Sequence, residues 1–428
     1  MKKIIDNEII NNTLFQLIFI YSILILLISL DQIGKFSLHF EIAAFIIGLL
    51  SILVVFNADK KIKIPKILFI LAIIILVGGR LIPFMDNSIP LGYDPGMYKT
   101  LFEDNHESII EGKVDETDWG KAMHPLGISY IINIFYLMGF SSEFMLIYGL
   151  IFFDLLILIG LYCLGKIFFN REIGILMTLF FSTSVIGFKA FEYNYYKNII
   201  GIFLILMAFY LVKKNKYIST ILIGGFLGGL HRPSFAVFGG SFLLNFLVKR
   251  RKKLFLTGFF TLIIGLIFFI DRIPNLINVY LAAGKSLVES SVGTGTFITK
   301  TDFIFSSLIL IPFFWIGLFK YIKDKKFDYL FFMTILLGII FFLELFFYKR
   351  MIIFLNISLI IFGSYGLYLI INRLGNKFGY ILLCLVLFTS IFFIYEETSN
   401  SRPLIAENEF NSIKWISENT PENSLAVS

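Results

Sequence analysis

Charge is scarce in this sequence. Only 16% of its 428 residues are Asp, Glu, Lys or Arg, while 57% are apolar. Soluble domains carry about 25% charged and about 45–50% apolar residues, so a water-soluble globular enzyme is excluded, as are disordered and collagen-like chains. Cysteine is scarcer still. Cys163 and Cys384 both lie inside apolar runs, which leaves no readable disulfide framework or zinc site. No nucleic-acid-binding motif occurs. What the chain has instead is phenylalanine (52 residues) with long Ile- and Leu-rich stretches, for a mean hydropathy of +0.85. The lipid bilayer is the solvent that accommodates such a composition. The net charge of +7 matters less for its size than for its placement.

A membrane-crossing helix needs about 20 mostly apolar residues. Runs of that kind fall near 14–30, 37–56, 66–85, 144–164, 172–188, 198–212, 217–231, 234–248, 254–270, 303–319, 327–346, 350–371 and 378–395, thirteen in all. The expected fold class is therefore an all-α polytopic membrane protein. The N-terminal stretch carries Asp6 and Glu8, and no small-residue cleavage site follows the first apolar run. It reads as a retained anchor.

Lys and Arg in short loops set orientation. The clusters at 2–3, 60–66, 166–171, 213–216, 249–253, 320–326 and 373–377 hold 22 of the 37 basic residues. Placing all of them in the cytoplasm puts the N-terminus inside and the tail from about 396 outside. One segment tests this parity. The run from Leu126 to Phe140 tempts a fourteenth span, which would invert one half of the chain. It is short, and Ser129, Asn133 and Tyr136 make a polar stripe, so it reads as a helix lying in the outer interface. All four histidines (His39, His106, His124, His231) then fall outside, where the longer loops are.

The outer segments carry the chemistry. In GYDPGMYKT, Asp94 precedes Pro95 and a helix-like run, the standard pattern of a helix cap. Capping alone accounts for that pattern. Its location adds a second reading: a carboxylate just after a span, at the water–lipid boundary, is placed to act as a base on a lipid-borne substrate, and partial desolvation would raise its pKa. His124-Pro125 opens the second surface helix. FEYNYYKN sets Glu192 and Lys197 among tyrosines, which commonly belt the interface, yet Glu192 is a second carboxylate able to converge on Asp94. Glu289 lies in the Gly/Ser/Thr-rich LVESSVGTGTF. Lys349, Arg350 and Arg232, with His231 beside it, occupy outer helix ends. Such cations often meet lipid phosphate, and Arg grips a phosphate through two parallel hydrogen bonds, so they form a candidate site for a polyprenyl phosphate. Arg80 and Asp154 lie deeper, inside predicted spans three and four. Each is expected to face protein or a wet cavity, and pairing with each other satisfies both.

These residues resemble the GT-C superfamily of membrane glycosyltransferases, which includes protein O-mannosyltransferases, aminoarabinose transferases and the catalytic subunit of oligosaccharyltransferase. GYDPGMYKT is similar to the family's first-loop acidic motif, and the resemblance carries the catalytic role onto Asp94. His124-Pro125-Leu126 stands where relatives often have Pro-Pro-Leu. FEYNYYKN takes the place of the second-loop acidic motif, matched at Glu192, and SLVESSVG is loosely similar to the mobile-loop segment, matched at Glu289. The tail FNSIKWISENTPENSLAVS resembles the entry to an extracytoplasmic domain. The sequence departs in having two spans ahead of the acidic motif and in lacking the Trp-Trp-Asp-Tyr-Gly motif.

The resemblance implies two extra helices over 1–65, a catalytic membrane module over 66–395, and a tail at 396–428 that begins a soluble domain not completed in this sequence. It also implies a multi-pass protein of the cell membrane that takes a sugar from a polyprenyl-phosphate carrier, with membrane lipids and a glycan, lipid or protein acceptor as partners and no nucleic acid. Should a divalent metal such as magnesium or manganese take part, Asp94, Glu192 and Glu289 are the oxygen ligands to expect. Two alternatives use other residues. A flippase of lipid-linked glycans would work through Arg80 and Asp154, and a polymerase or ligase of the O-antigen type through His124 and His231.

Overall fold

The computed structural model describes residues 63–85, 89–92, 94–96, 98–99, 102, 126–268, 298–345 and 348–420. The predicted spans at 14–30 and 37–56 lie outside the described residues, as do His39, His106, His124 and Glu289. Among the described residues the chain is helical and has no strand. The helices are α1 (Ile67–Leu81), α2 (Leu126–Leu137), α3 (Leu150–Phe168, entered through a π-turn at Met145–Gly149), α4 (Arg171–Ser182), α5 (Val185–Glu192), α6 (Tyr196–Lys213), α7 (Tyr217–Leu230), α8 (Arg232–Lys249), α9 (Lys252–Ile267), α10 (Lys300–Ser307), α11 (Ile311–Lys323), α12 (Tyr329–Phe342), α13 (Tyr348–Asn400, broken at Gly375) and α14 (Glu407–Asn419).

Five of these segments are long and apolar enough to cross a membrane: Ile67–Phe84, Ser142–Phe168, Tyr196–Lys213, Tyr348–Gly375 and Phe378–Asn400. Two bent pairs, α4 with α5 (51°) and α10 with α11 (83°), raise the number to seven if each is one span. The other predicted spans in this region correspond to α7, α8, α9 and α12. A helix of 14 residues such as α7 or α12 rises about 21 Å, less than the roughly 30 Å of a hydrocarbon core. Among the described residues five to seven segments meet that length, and the run 172–188 is split at Ser184 into α4 and α5.

Local chemistry sets several of the helix starts. The Asn170 side chain accepts the Ile173 amide (2.9 Å) to start α4, and Ser184 accepts the Gly187 amide (3.0 Å) to start α5. Asp328 accepts amides of Leu330 and Phe331 to start α12. Such side-chain oxygens satisfy the amides that a helix start leaves unpaired.

The first half of α13 is the central post. Its residues are almost entirely buried, and α1, α4, α5, α10, α11 and α12 all pack on α13 as a whole, α1 meeting its second half at Ile394 and Thr398. The closest approach is to α11, where a Cβ at Gly317 would collide with the Phe362 carbonyl and one at Gly366 with that of Phe313. On the other flank α6 packs on α3 and α7, α7 on α9, and α8 on α12.

The bundle has two chemically distinct ends. Helix α6 runs from Lys197 to Lys213, about 24 Å apart by helical rise. At the Lys213 end, Lys213 lies over the Phe168 ring (4.6 Å), Lys249 over Tyr329 (5.8 Å) and Lys326 over Tyr321 (5.5 Å), with Asp328 accepting from the Tyr321 hydroxyl (2.6 Å). Lys213, Lys249 and Lys326, each from a different loop used to orient the chain, thus lie at the end opposite Lys197. Residues 401–420, part of the predicted extracytoplasmic tail, carry α14, which leaves Ile413, Trp415 and Ile416 exposed.

Candidate functional site

The site is built by the chain segment that follows α1. After the short 3-10 turn Ile82–Phe84, Phe84 meets the edge of Phe191 (6.2 Å), and Ile89 and Leu91 bury themselves. Gly92 then turns with φ +85°, a left-handed conformation that disfavours side chains. It also presses so closely on the α5–α6 turn that a Cβ would strike the Glu192 carbonyl and the Tyr193 Cα. Asn194 fastens the contact by donating to the Leu91 carbonyl (3.3 Å). Two residues later Asp94 starts a helical turn, its carbonyl accepting the Tyr98 amide (3.0 Å), with Pro95 at the first helical position. The buried Tyr98 ring lies 5.6 Å from Tyr196, and Phe102 lies 5.5 Å from the same ring. Lys99 donates to Glu143 (2.9 Å) ahead of α3. Asp94 is thereby held on three elements.

The charges around it come from three helix beginnings. Lys197 is the second residue of α6, Arg232 the first of α8 and Arg350 the third of α13. Partial burial raises the Asp94 carboxyl above its ordinary value, and the positive charges of Lys197 and Arg350 act against that rise. Lys197 also feels Arg350 and Arg232, and its ammonium lies 6.0 Å from the Tyr98 ring centre. His231 forms the extended turn joining α7 to α8 and feels Lys197, Arg350 and Arg232. Its Nδ1 is hydrogen-bonded to Ser234 Oγ at 2.7 Å. Lys349 shares the first turn of α13 with Arg350.

Lys197 and Arg350 act on Asp94, and Arg232 and His231 share the field of those two cations. Glu192 is not among the charges acting on Asp94. Its carboxylate accepts from Ser401 (2.5 Å) and borders a separate cavity of about 280 Å3 with Phe305, Ser306, Glu396 and Glu397. Its nearest charge partners are Lys189 and Glu397, themselves paired at 2.8 Å. Arg80 and Asp154 pair with each other at 2.9 Å, both sealed from solvent. Lys197 is the member that sequence reading left unassigned, because the surrounding tyrosines marked the segment as an aromatic belt. A lysine opening an apolar helix directly after an outer turn was the available signal.

No family model matches the chain, and no curated protein matches it. Solved structures do. The oligosaccharyltransferase of Archaeoglobus fulgidus, in its complex with zinc and sulfate, superposes with a TM-score of 0.55 at 13% identity, over 83% of this chain and 56% of that one. The same organism's oligosaccharyltransferase AglB, bound to an inhibitory peptide and a dolichol-phosphate, gives 0.56 at 12% identity, over 83% and 58%. The mycobacterial arabinofuranosyltransferase AftD gives 0.54 at 10% identity, over 85% and 29%.

The chain has the GT-C fold. It spans a little over half the length of the archaeal enzymes. Within this GT-C frame the zinc of the archaeal structure raises the question of a metal here. Among the described residues Lys197 and Arg350 act on Asp94, and their charge suits an anion. Among the described residues no three His, Cys, Asp or Glu side chains converge.

Proposed function

We propose that this chain is an integral membrane glycosyltransferase that moves a sugar from a polyprenyl-phosphate carrier to an acceptor at the outer membrane face. The observation that carries the reading is the Asp94 carboxylate in the field of Lys197 and Arg350, with Arg232 acting on Lys197, at one end of a GT-C bundle. The proposed orientation puts this end outward and the lysine-rich opposite end in the cytoplasm. Residues 66–395 would form the catalytic membrane module, 1–65 two preceding helices, and 396–428 the start of an outer domain.

The chemistry follows from the charges. The acceptor hydroxyl gives its proton to Asp94 as its oxygen attacks the anomeric carbon. The bond from that carbon to the phosphate oxygen breaks, and the electron pair leaves with the polyprenyl phosphate. One displacement inverts the anomeric centre. The phosphate gains negative charge as it leaves, and Arg350, Lys197 and Arg232, with Lys349 and a His231 N–H nearby, are positioned to hold it. A raised carboxyl pKa makes Asp94 a stronger base than an exposed aspartate.

The flippase alternative relied on Arg80 and Asp154 lining a path. In the structure they close on each other, out of solvent. The polymerase alternative rests on His124, outside the described residues, and on His231, which lies in the field of Lys197, Arg350 and Arg232.

The test is in-vitro transfer by the purified protein from defined radiolabelled polyprenyl-phosphate sugars, with and without chelator. Asp94→Asn should lower transfer by about 100-fold or more while the protein stays folded. Full transfer by Asp94→Asn, or no transfer from any such donor, would overturn the reading.

A further inference from the structure

A cavity separate from the Asp94 site runs between the consecutive helices α8 and α9. A tight turn joins them, in which Arg250 takes a left-handed conformation and its amide donates to the Phe246 carbonyl (2.7 Å). Beyond the turn the two helices part. Helix α8 leans on α12 and α9 leans on α7. The wedge left between them is a groove of about 370 Å3.

The groove takes one face of α8, Phe235 to Phe246, and one of α9, Leu254 to Leu262, and its lining is apolar apart from Thr261. Phe238 and Phe242 are buried in its floor, while Leu243, Phe259 and Leu262 stand exposed at its rims. Gly239 keeps it open, since a Cβ there would meet nothing within 4 Å. At the Arg232 end the Phe235 ring wedges against Gly228 of α7 and Gly265 of α9. From Phe235 to Phe246 the groove runs about 16 Å by helical rise, close to one leaflet of a roughly 30 Å hydrocarbon core.

The other end reaches the turn, beside the Phe246 and Phe255 rings, which lie 5.5 Å apart. Here five cations follow one another, Lys249, Arg250, Arg251, Lys252 and Lys253, and all five are exposed. Lys249 lies over the Tyr329 ring. Among the described residues no carboxylate pairs with the other four.

We propose that this groove binds one acyl chain of an anionic phospholipid, with its headgroup on the basic turn. A basic loop alone sets topology and is drawn to any negative surface. What selects a single lipid is the position of these cations at the end of an apolar slot of leaflet depth. A zwitterionic lipid would fill the slot and bring no net charge to the turn, whereas an anionic one meets both. The donor lipid of the proposed reaction is a different ligand, with its phosphate at the Lys197 end of the bundle. In the proposed orientation the bound phospholipid belongs to the cytoplasmic leaflet. The inference needs only a membrane protein and holds whatever the Asp94 site transfers.

The purified full chain in neutral detergent tests it, with phosphatidylglycerol, phosphatidylcholine or undecaprenyl phosphate added, read by native mass spectrometry and by melting. One phosphatidylglycerol should be retained at concentrations about tenfold below those that phosphatidylcholine needs, and at saturation it should raise melting by about 2 °C or more. Gly239→Leu fills the slot from a position with free space and should abolish both effects. Gly338→Leu, at a helical glycine outside the groove where a Cβ also meets nothing within 4 Å, should keep them. Arg251→Gln with Lys252→Gln leaves the slot intact and should bring the two phospholipids within about threefold of each other. Equal retention of both by the parent would make this an ordinary lipid-facing surface and overturn the proposal. So would a phosphatidylglycerol effect that survives Gly239→Leu, or undecaprenyl phosphate retained in preference to phosphatidylglycerol and lost in that variant. Should Gly239→Leu fail to fold, the charge variant decides, and unchanged selectivity in it overturns the assignment.

Discussion

The ammonium of Lys197 lies 6.0 Å from the centre of the Tyr98 ring, and the Tyr98 amide closes the first helical turn onto the Asp94 carbonyl. A cation from one helix start is thus held over the residue that shapes the base. Lys197→Met should therefore do two things. Transfer should fall by about tenfold or more, the loss of one charge-assisted phosphate contact of roughly 1.5–3 kcal/mol. The acid limb of the pH–rate profile should also move to higher pH, because a charge opposing the rise in the Asp94 pKa is gone. A limb that stays put would mean Lys197 does not act on Asp94.

The parent pH profile has a definite sign. Burial raises the Asp94 carboxyl, and a base works deprotonated. Activity should fall as pH drops through a value above the roughly 3.9 of an exposed aspartate. Stability runs the other way. The folded state binds this proton more tightly than the unfolded chain, so the contribution is fully present at low pH and is lost as pH rises through the folded value. Asp94→Asn should flatten that part of the pH dependence of melting.

Gly92→Ala should damage both stability and transfer. The left-handed backbone costs a side chain about 1–2 kcal/mol, and the methyl would strike the Glu192 carbonyl and the Tyr193 Cα. Gly96→Ala, whose methyl meets nothing within 4 Å, should leave both unchanged. Melting in detergent and initial transfer rates check the pair.

Glu192→Gln should keep transfer within about threefold of the parent, far from the 100-fold loss expected at a general base. Its carboxylate is engaged by Ser401 and faces its own cavity. A loss as large as that of Asp94→Asn would return Glu192 to the reacting centre.

Asp154→Ala should destabilise by about 3–5 kcal/mol, since it strands a buried guanidinium. The double change Arg80→Met with Asp154→Leu should recover much of that loss. Denaturant melts of the single and double variants make the comparison.

Much of this site could be read from residue order. Asp94-Pro95 announced a helix start just beyond a span, Arg350 opened a long apolar run, and loop cations placed both at one end. Arg80 and Asp154 were recognisable as a pair because neither tolerates isolation among apolar helices. Glu192 misled, since a carboxylate close in sequence to the turn that backs Asp94 can point to the other side of that turn. The backbone passes close to Gly92 while the side chain goes to Ser401. The short helices were hidden for a related reason. Apolar content reports what a segment avoids, whereas the Ser184 cap decides where the run 172–188 breaks into two helices.

The post formed by the first half of α13 bears on biosynthesis. It leaves the ribosome after α1, α4, α5, α10, α11 and α12, the helices that pack on α13. A transcript ending before Tyr348 would encode a bundle without that post and a site without Arg350. Assembly of the frame and arming of its chemistry are thus completed by the same late segment.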